Sequence, residues 1–336
     1  MVRELIVGGG LGALLLAPLL QTGPGASPPS AVVLAYHRFG ESEHPSTSTP
    51  LEQLEAHVEL LRAGGYAVVP LEQVAAALRG DGALPPRAVA LTMDDAYASI
   101  FREAWPRLHR AGLPFTVFVS TDGLDAAQPD LMSWEQLREL AGSGVGIGHH
   151  GAAHAHPLEL SPGVWRADLA RASERFRAEL GEVPSLLAYP YGEWSAAHRE
   201  VVRELGFRAA FGQHSGVAWA GADLLALPRF ALNTRYGELE RVRSVVASLP
   251  LRVSDIEPRD PLLGAHPLRI RFRLAPGEST PSCFLAGDPV RAERDGDHIR
   301  ISVPDHPRSR NIRLNCTLRE SSGRWRWLGL AFFRRP

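Results

Sequence analysis

Between residues 31 and 248, short apolar runs alternate with stretches of helical period, and this limits the fold more than any other feature. The runs at 31–35, 66–69, 88–92, 115–119, 145–147, 186–189 and 209–211 suit buried strands. Between them, 51–64, 71–78, 100–110, 134–141, 164–180 and 195–205 read as helices. In the first of these Leu51, Leu54, Val58 and Leu61 fall three and four residues apart, the spacing of one helical face. Strand–helix units of this size imply parallel strands linked by crossover helices, an α/β body. In such folds functional groups collect at the C-terminal ends of the strands.

The period changes after residue 248. Runs at 268–274, 282–285, 298–303, 311–318 and 325–333 alternate with period two and are punctuated by Pro and Gly. They predict a small all-β, sandwich-like domain over 249–336, joined to the body (31–248) through the Pro- and charge-rich stretch 249–262. Residues 1–30 read as a leader. Arg3 precedes an apolar stretch and then a Gly/Pro/Ser-rich segment, as in a signal peptide or single N-terminal anchor. The expectation is an exported protein, periplasmic or anchored in the inner membrane facing the periplasm, with envelope association through the N-terminus. Cys283 and Cys316 are either one disulfide across adjacent strands or two small buried apolar residues. Every basic residue is Arg, which excludes a Schiff-base lysine. A net charge of -1 gives no sign of a nucleic-acid partner; the oligomeric state is not fixed by sequence.

Two local clusters carry chemistry. Asp94 and Asp95 follow the run 88–92. Adjacent carboxylates behind a buried strand repel unless a cation relieves them, although either could cap a following helix. The second cluster, 148–156, holds His149, His150, His154 and His156. Imidazoles suit Zn2+, and three protein ligands leave a position for water. One Asp with two His completes such a set. His150 with His154, His149 with His154, and His150 with His156 all remain open on spacing alone.

Thr92-Met93-Asp94-Asp95, His150-Gly151-Ala152-Ala153-His154 and Pro190-Tyr191-Gly192 resemble, in order, three motifs of the polysaccharide deacetylases, carbohydrate esterase family four. The chain departs from the family at Met93 for Phe, Ala96 for Gly, Gly151 for a hydroxyl residue and Ala188 for Arg. The resemblance covers roughly residues 31–235 and is similar in particular to the exported branch that deacetylates poly-β-1,6-N-acetylglucosamine. It implies a distorted (β/α) barrel with fewer than eight regular strands. It implies a divalent metal, Zn2+ first and Ni2+, Co2+ or Fe2+ as alternatives, on Asp95, His150 and His154. Asp94 would then be general base, and a backbone N–H, that of Tyr191, would help hold the oxyanion. The general acid is His37, of the pair Tyr36-His37, or His214. Arg229 would orient a carboxylate in place of the missing third-motif Arg. Tyr191, Gly192, Trp194 and Trp134 would line the sugar, and the partner would be a polysaccharide losing acetyl groups. An esterase or amidase acting on another acylated glycan or lipid-linked substrate is the alternative within hydrolases; an inactive carbohydrate-binding protein is the alternative outside them. Asp168 and Glu174 read as solvated helix residues. Arg308, Arg310 and Arg313 read as a basic surface for an anionic polymer, and Trp325 and Trp327 as sharing one sheet face.

Overall fold

The computed structural model describes residues 28–264, 267–304 and 308–334. Nearly all of the expected leader lies outside these residues. Among the described residues no helix is long and apolar enough to cross a membrane.

All seven strands expected in the body form: β1 (Ser30–Tyr36), β2 (Ala67–Val68), β3 (Ala88–Met93), β4 (Thr116–Val119), β5 (Gly146–His149), β6 (Leu186–Ala188) and β7 (Ala209–Phe211). They pair in parallel in the order β1-β3-β4-β5-β6-β7, with β2 also against β3. Two short strands, β8 (Ala218–Trp219) and β9 (Phe230–Ala231), complete the sheet along β1, antiparallel and parallel respectively. Leu227 bridges Phe211 in parallel, so segment 227–231 reaches from β7 at one edge to β1 at the other. The sheet is therefore curled into a distorted barrel. Strand β1 shows why its sequence is apolar throughout: Val32, Leu34 and Tyr36 pack into one core cluster, and Ala31 and Val33 into a second.

The expected helices also form: α1 (Leu51–Ala63), α2 (Leu71–Arg79), α3 (Trp105–Ala111), α5 (Trp134–Gly142), α6 (Pro162–Leu180) and α7 (Ala196–Glu204). The expected helix over 100–110 is divided, because a π-helical turn, Ile100–Ala104, precedes α3. A five-residue helix, α4 (Thr121–Asp125), escapes sequence reading because it is shorter than two turns. Helix α8 (Leu239–Val246) packs beside α1 ahead of the change in period.

The C-terminal region is all β, as expected. One five-stranded sheet holds β10 (Leu249–Pro250), β13 (Ser282–Leu285), β14 (Asp288–Val290), β17 (Asn311–Arg319) and β18 (Trp325–Phe333). A four-stranded sheet holds β11 (Val253–Glu257), β12 (Leu268–Leu274), β15 (Glu293–Asp295) and β16 (His298–Val303). Their inward residues, Ile270 and Phe272 on one side and Leu314 and Leu328 on the other, share a single core. Strand β11 lies inside the stretch read as a linker. Its Ser, Asp and Glu side chains are exposed on an edge strand and mask the alternation. Cys283 and Cys316 face each other across β13 and β17 and are disulfide-bonded.

Strand β18 holds the two halves together. The Trp327 indole donates to Asn315 Oδ1 at 3.0 Å, and its ring meets Phe230 of β9 edge-on, 5.0 Å away. Phe333 packs edge-on against Trp194 at 5.1 Å. Between them Gly329 lies flat on the barrel: a Cβ there would fall 1.6 Å from the Ser215 carbonyl oxygen. That atom is backbone and cannot turn aside. Gly329→Ala is expected to destabilise the protein by roughly 3 kcal/mol, the upper range for overpacking. Urea unfolding measures this, and a loss below about 0.5 kcal/mol, the scale of an ordinary surface change, would show that the strand does not abut the barrel.

Candidate metal centre and active site

Asp94 and Asp95 leave the end of β3, and the backbone separates them. The Asp94 N–H donates to the Tyr36 carbonyl at 2.9 Å, extending the ladder by one residue. Asp95 and Ala96 then take left-handed conformations with φ of 73° and 56°, so the two carboxylates diverge. Ala96 stands where the family motif has glycine, and holding alanine in this conformation costs about 1 kcal/mol.

Asp94 has no exposed surface. Arg229, equally buried in the segment that closes the barrel, grips it through two bonds of 2.7 Å, Nη1 to Oδ1 and Nη2 to Oδ2. Arg229 is fixed in turn by Gly212 O at 3.0 Å and by the Thr92 hydroxyl at 3.1 Å. Burial works to raise the Asp94 carboxyl. Arg229 more than offsets it, with smaller help from His150 and His37, and Asp94 is held below the usual carboxylate range. On the other side His37 Nε2 lies 3.9 Å from Asp94 Oδ2. Tyr36 points into the core, its hydroxyl 3.2 Å from His57 Nδ1.

Asp95 meets the histidines. Its Oδ1 is 3.3 Å from His150 Nε2 and 3.0 Å from His154 Nε2, and the three ligand atoms lie within 4.8 Å of one another. The His150 Nδ1–H donates to the Ala188 carbonyl at 2.7 Å, so in the neutral ring the Nε2 lone pair faces the carboxylate. Asp95 Oδ1 is buried yet accepts no hydrogen bond of acceptable geometry. Lone pairs converging on one point are stable only around positive charge, and two imidazoles with one carboxylate fit a divalent cation. Protons supply that charge otherwise. Burial opposes protonation of His154, but Asp95 outweighs it and raises the imidazole.

The loop that presents His150 and His154 is held from α6. Asp168 accepts the Ala152 N–H at 2.8 Å and the Ala153 N–H at 3.1 Å, and Arg171 pairs with it. It is buried, contrary to the solvated reading. The signal was present in the sequence: Asp168 is in phase with the buried stripe Trp165, Leu169, Ala172 and Phe176. The same carboxylate explains Gly151. Its φ is 78°, and a Cβ there would lie 2.8 Å from Asp168 Oδ2, which leaves no room for the hydroxyl residue of the family motif.

The remaining candidates separate. His149 points away from the cluster, accepting the Gly151 N–H on Nδ1 at 3.1 Å with Nε2 beside the Leu169 carbonyl, and burial pushes it down to about 3. His156 bonds Glu193 at 3.1 Å and stacks on Tyr191. His214 is buried behind Trp194, 5.4 Å between rings, and burial again pushes it down to about 3. Of the two candidate acids, His37 is the one that stands beside Asp94, at 3.9 Å. Trp194 is only 4% exposed, between Tyr189 and Phe333, so no sugar reaches its face. Trp134 donates to Asp125 and packs edge-on against Phe176 on the helical flank, apart from the cluster. Tyr191 is 36% exposed with its ring 4.7 Å from that of His154, and it lines the mouth. Gly192 follows with φ 68°, and a Cβ there would meet Gln213 N at 2.6 Å. Arg310, read as surface, is bound to Glu193 and Glu159.

Part of the chain that carries this site also resembles known proteins. Residues 81–210 match the polysaccharide deacetylase family model. YxkH of Bacillus subtilis is 23% identical over 202 residues, 60% of this chain and 71% of YxkH. The poly-beta-1,6-N-acetyl-D-glucosamine N-deacetylase of Escherichia coli K12 is 25% identical over 241 residues, 59% of this chain but 36% of that protein. Among solved structures, IcaB from Ammonifex degensii superposes with a TM-score of 0.59 at 27% identity, over 65% of this chain and 97% of IcaB. The Streptococcus pyogenes deacetylase PplD shares the fold, with a TM-score of 0.61 at 20% identity over 66% of this chain and 99% of PplD. His37 and Arg229 fall outside the matched 81–210, but they meet its Asp94 in space. Residues 81–210 thus carry a polysaccharide deacetylase match, and the paired aspartates and the two histidines of the site lie within that segment.

Proposed function

We propose that the protein is a metal-dependent N-deacetylase that removes acetyl groups from N-acetylglucosamine units of an exported or cell-envelope polysaccharide. The observation that carries this reading is the juxtaposition of two different carboxylates. Asp95 faces two imidazole lone pairs, and Asp94, beside it, is kept anionic by Arg229. The relatives named for poly-beta-1,6-N-acetyl-D-glucosamine deacetylation support the choice of polymer. The Cys283–Cys316 disulfide suits an oxidising compartment outside the cytoplasm.

Asp95, His150 and His154 would hold a divalent cation, which would supply Lewis acidity to the site. The protein's own groups do the rest. Asp94 accepts the proton of the attacking water; each of its oxygens bonded to Arg229 keeps a second lone pair for this. Arg229 fixes the carboxylate plane and keeps it charged. His37 delivers a proton to the sugar nitrogen as the C–N bond breaks, so the products are acetate and a free amine. Tyr191 presents an aromatic face to the apolar side of the sugar ring.

Three outcomes test the division of labour. Asp95→Ala and His154→Ala are each expected to lose the ion and hydrolysis together. Asp94→Asn should retain the ion and lose turnover by about 10³-fold, within the range for a general base. Metal analysis beside acetate release from N-acetylglucosamine oligomers separates these cases; normal ion content in both ligand variants would sink the ligand set. Release from simple acetyl esters but not from the oligomers would point to an esterase instead. Asp168→Ala, which frees the loop N–H groups, should weaken ion affinity by roughly 10–100-fold, as loss of an outer support does. The ion should also bind more weakly in acid. Since His154 is raised above 6.5, protons compete below that raised value, and affinity should fall about tenfold per pH unit there. A Zn2+ titration flat between pH 8 and pH 5 would contradict this.

A further inference from the structure

Arg310 belongs to the C-terminal β region, yet its guanidinium lies in the wall of the barrel mouth. Nε donates to Glu193 Oε1 at 2.7 Å, Nη2 to Glu193 Oε2 at 3.0 Å, and Nη1 to Glu159 Oε1 at 2.6 Å. Glu193 has no exposed surface, so its charge depends on these bonds and on His156 Nδ1, 3.1 Å from Oε2. His156 is stacked on Tyr191, with ring centroids 3.6 Å apart and planes 12° from parallel. The Tyr191 ring also approaches that of His154, 4.7 Å between centroids and inclined by 52°. A continuous set of contacts therefore runs from the β region to the ligand cluster through Glu193, His156 and Tyr191.

We infer that Arg310 is a positioning residue for the polysaccharide: through Glu193 and His156 it fixes the Tyr191 face against which a sugar unit stacks. The inference rests on the deacetylase reading above and makes the β region a working part of the substrate site. The physical reason is the burial of Glu193. A carboxylate with no access to water must find another cation or move toward solvent when its guanidinium is removed. Moving Glu193 releases His156, and the Tyr191 ring loses the partner that holds it flat. Tyr191 and Gly192 sit in a tight turn with φ of 57° and 68°, which sets the chain path, and the stacked His156 is the contact that lies along the ring plane. Arginine is required by shape. Its fork reaches both oxygens of Glu193 and one of Glu159, whereas a lysine offers a single point of charge.

The test is steady-state kinetics of the full chain, loaded with Zn2+, on N-acetylglucosamine oligomers. Arg310→Ala should raise KM about tenfold with kcat within about twofold, the loss expected of one sugar–aromatic contact. Arg310→Lys should recover part of that loss. Tyr191→Ala should raise KM to a similar degree, and the double variant Arg310→Ala with Tyr191→Ala should be no worse than Tyr191→Ala alone, since both act on one contact. If Arg310→Ala does not fold, Glu193→Gln, which keeps the shape and removes the charge, carries the same comparison. An unchanged KM in Arg310→Ala, or additive effects in the double variant, would overturn the inference. A fall in kcat and melting temperature with KM unmoved would do the same, because a purely structural ion pair predicts that result. Failure of the underlying reading looks different: wild-type protein would release no acetate from the oligomers at all.

Discussion

The buried pair between Arg229 and Asp94 is the contact on which the rest of the structure depends. Neither side chain has exposed surface, and removing two charges from water costs several kcal/mol per ion unless geometry repays it. Here both guanidinium bonds are 2.7 Å, and Thr92 and Gly212 satisfy further N–H groups. The pair also crosses the seam of the barrel. Asp94 ends β3, whereas Arg229 stands between Leu227, bridged to Phe211, and Phe230, paired with Leu34. Closure of the sheet and ionisation of the proposed base are thus one event. A barrel left open at segment 227–231 would have an unpaired carboxylate at its centre.

This explains how the chain can depart from the polysaccharide deacetylase motifs without losing the function proposed for it. The third-motif position is Ala188, which has no charge to give. A cation is still needed beside Asp94, and Arg229 brings it from 41 residues farther along the chain. The carbonyl of Ala188 meanwhile orients His150, so the position remains part of the site through its backbone. Gly151 follows the same logic. Where the family motif has a hydroxyl side chain, Asp168 reaches in from α6 and bonds the loop backbone directly.

The central barrel strands β1, β3 and β4 were legible because they are buried on both faces, which makes their sequences largely apolar and easy to distinguish from helices of period 3.6. The candidate metal cluster was legible in outline because two aspartates follow a buried strand and four histidines crowd into 149–156, while the choice of Asp95, His150 and His154 came from the family resemblance. What remained hidden depends on contacts between distant residues. Spacing could not separate His149 from His150; the difference is that one ring bonds Leu169 and the other bonds Ala188. Trp194 has the composition of a sugar platform, but Phe333 of the β region covers it. Arg310 resembles any surface arginine until Glu193 is brought beneath it. Strand β11 was concealed by the charges it carries on an exposed edge. Asp168 is the exception, since its phase on α6 was readable and was outweighed by its charge.

Backbone strain follows the same map. Among the described residues, eight that are not glycine have positive φ, and Asp95, Ala96, His154 and Tyr191 are four of them. Two belong to the candidate metal cluster, one follows Asp95 and one is Tyr191 beside His154, so strain of about 1–3 kcal/mol each is concentrated around that cluster. Such conformations persist only where surrounding contacts over-determine them. Arg229 holds Asp94 on one side of the turn, and Asp168 holds the Ala152 and Ala153 N–H groups ahead of His154. The twists that cost stability are the ones that bring Asp95 Oδ1 and the two Nε2 atoms together. A cation bound there would offset both penalties, the strain and the opposed lone pairs, which ties the stability of these loops to the ion they are proposed to hold.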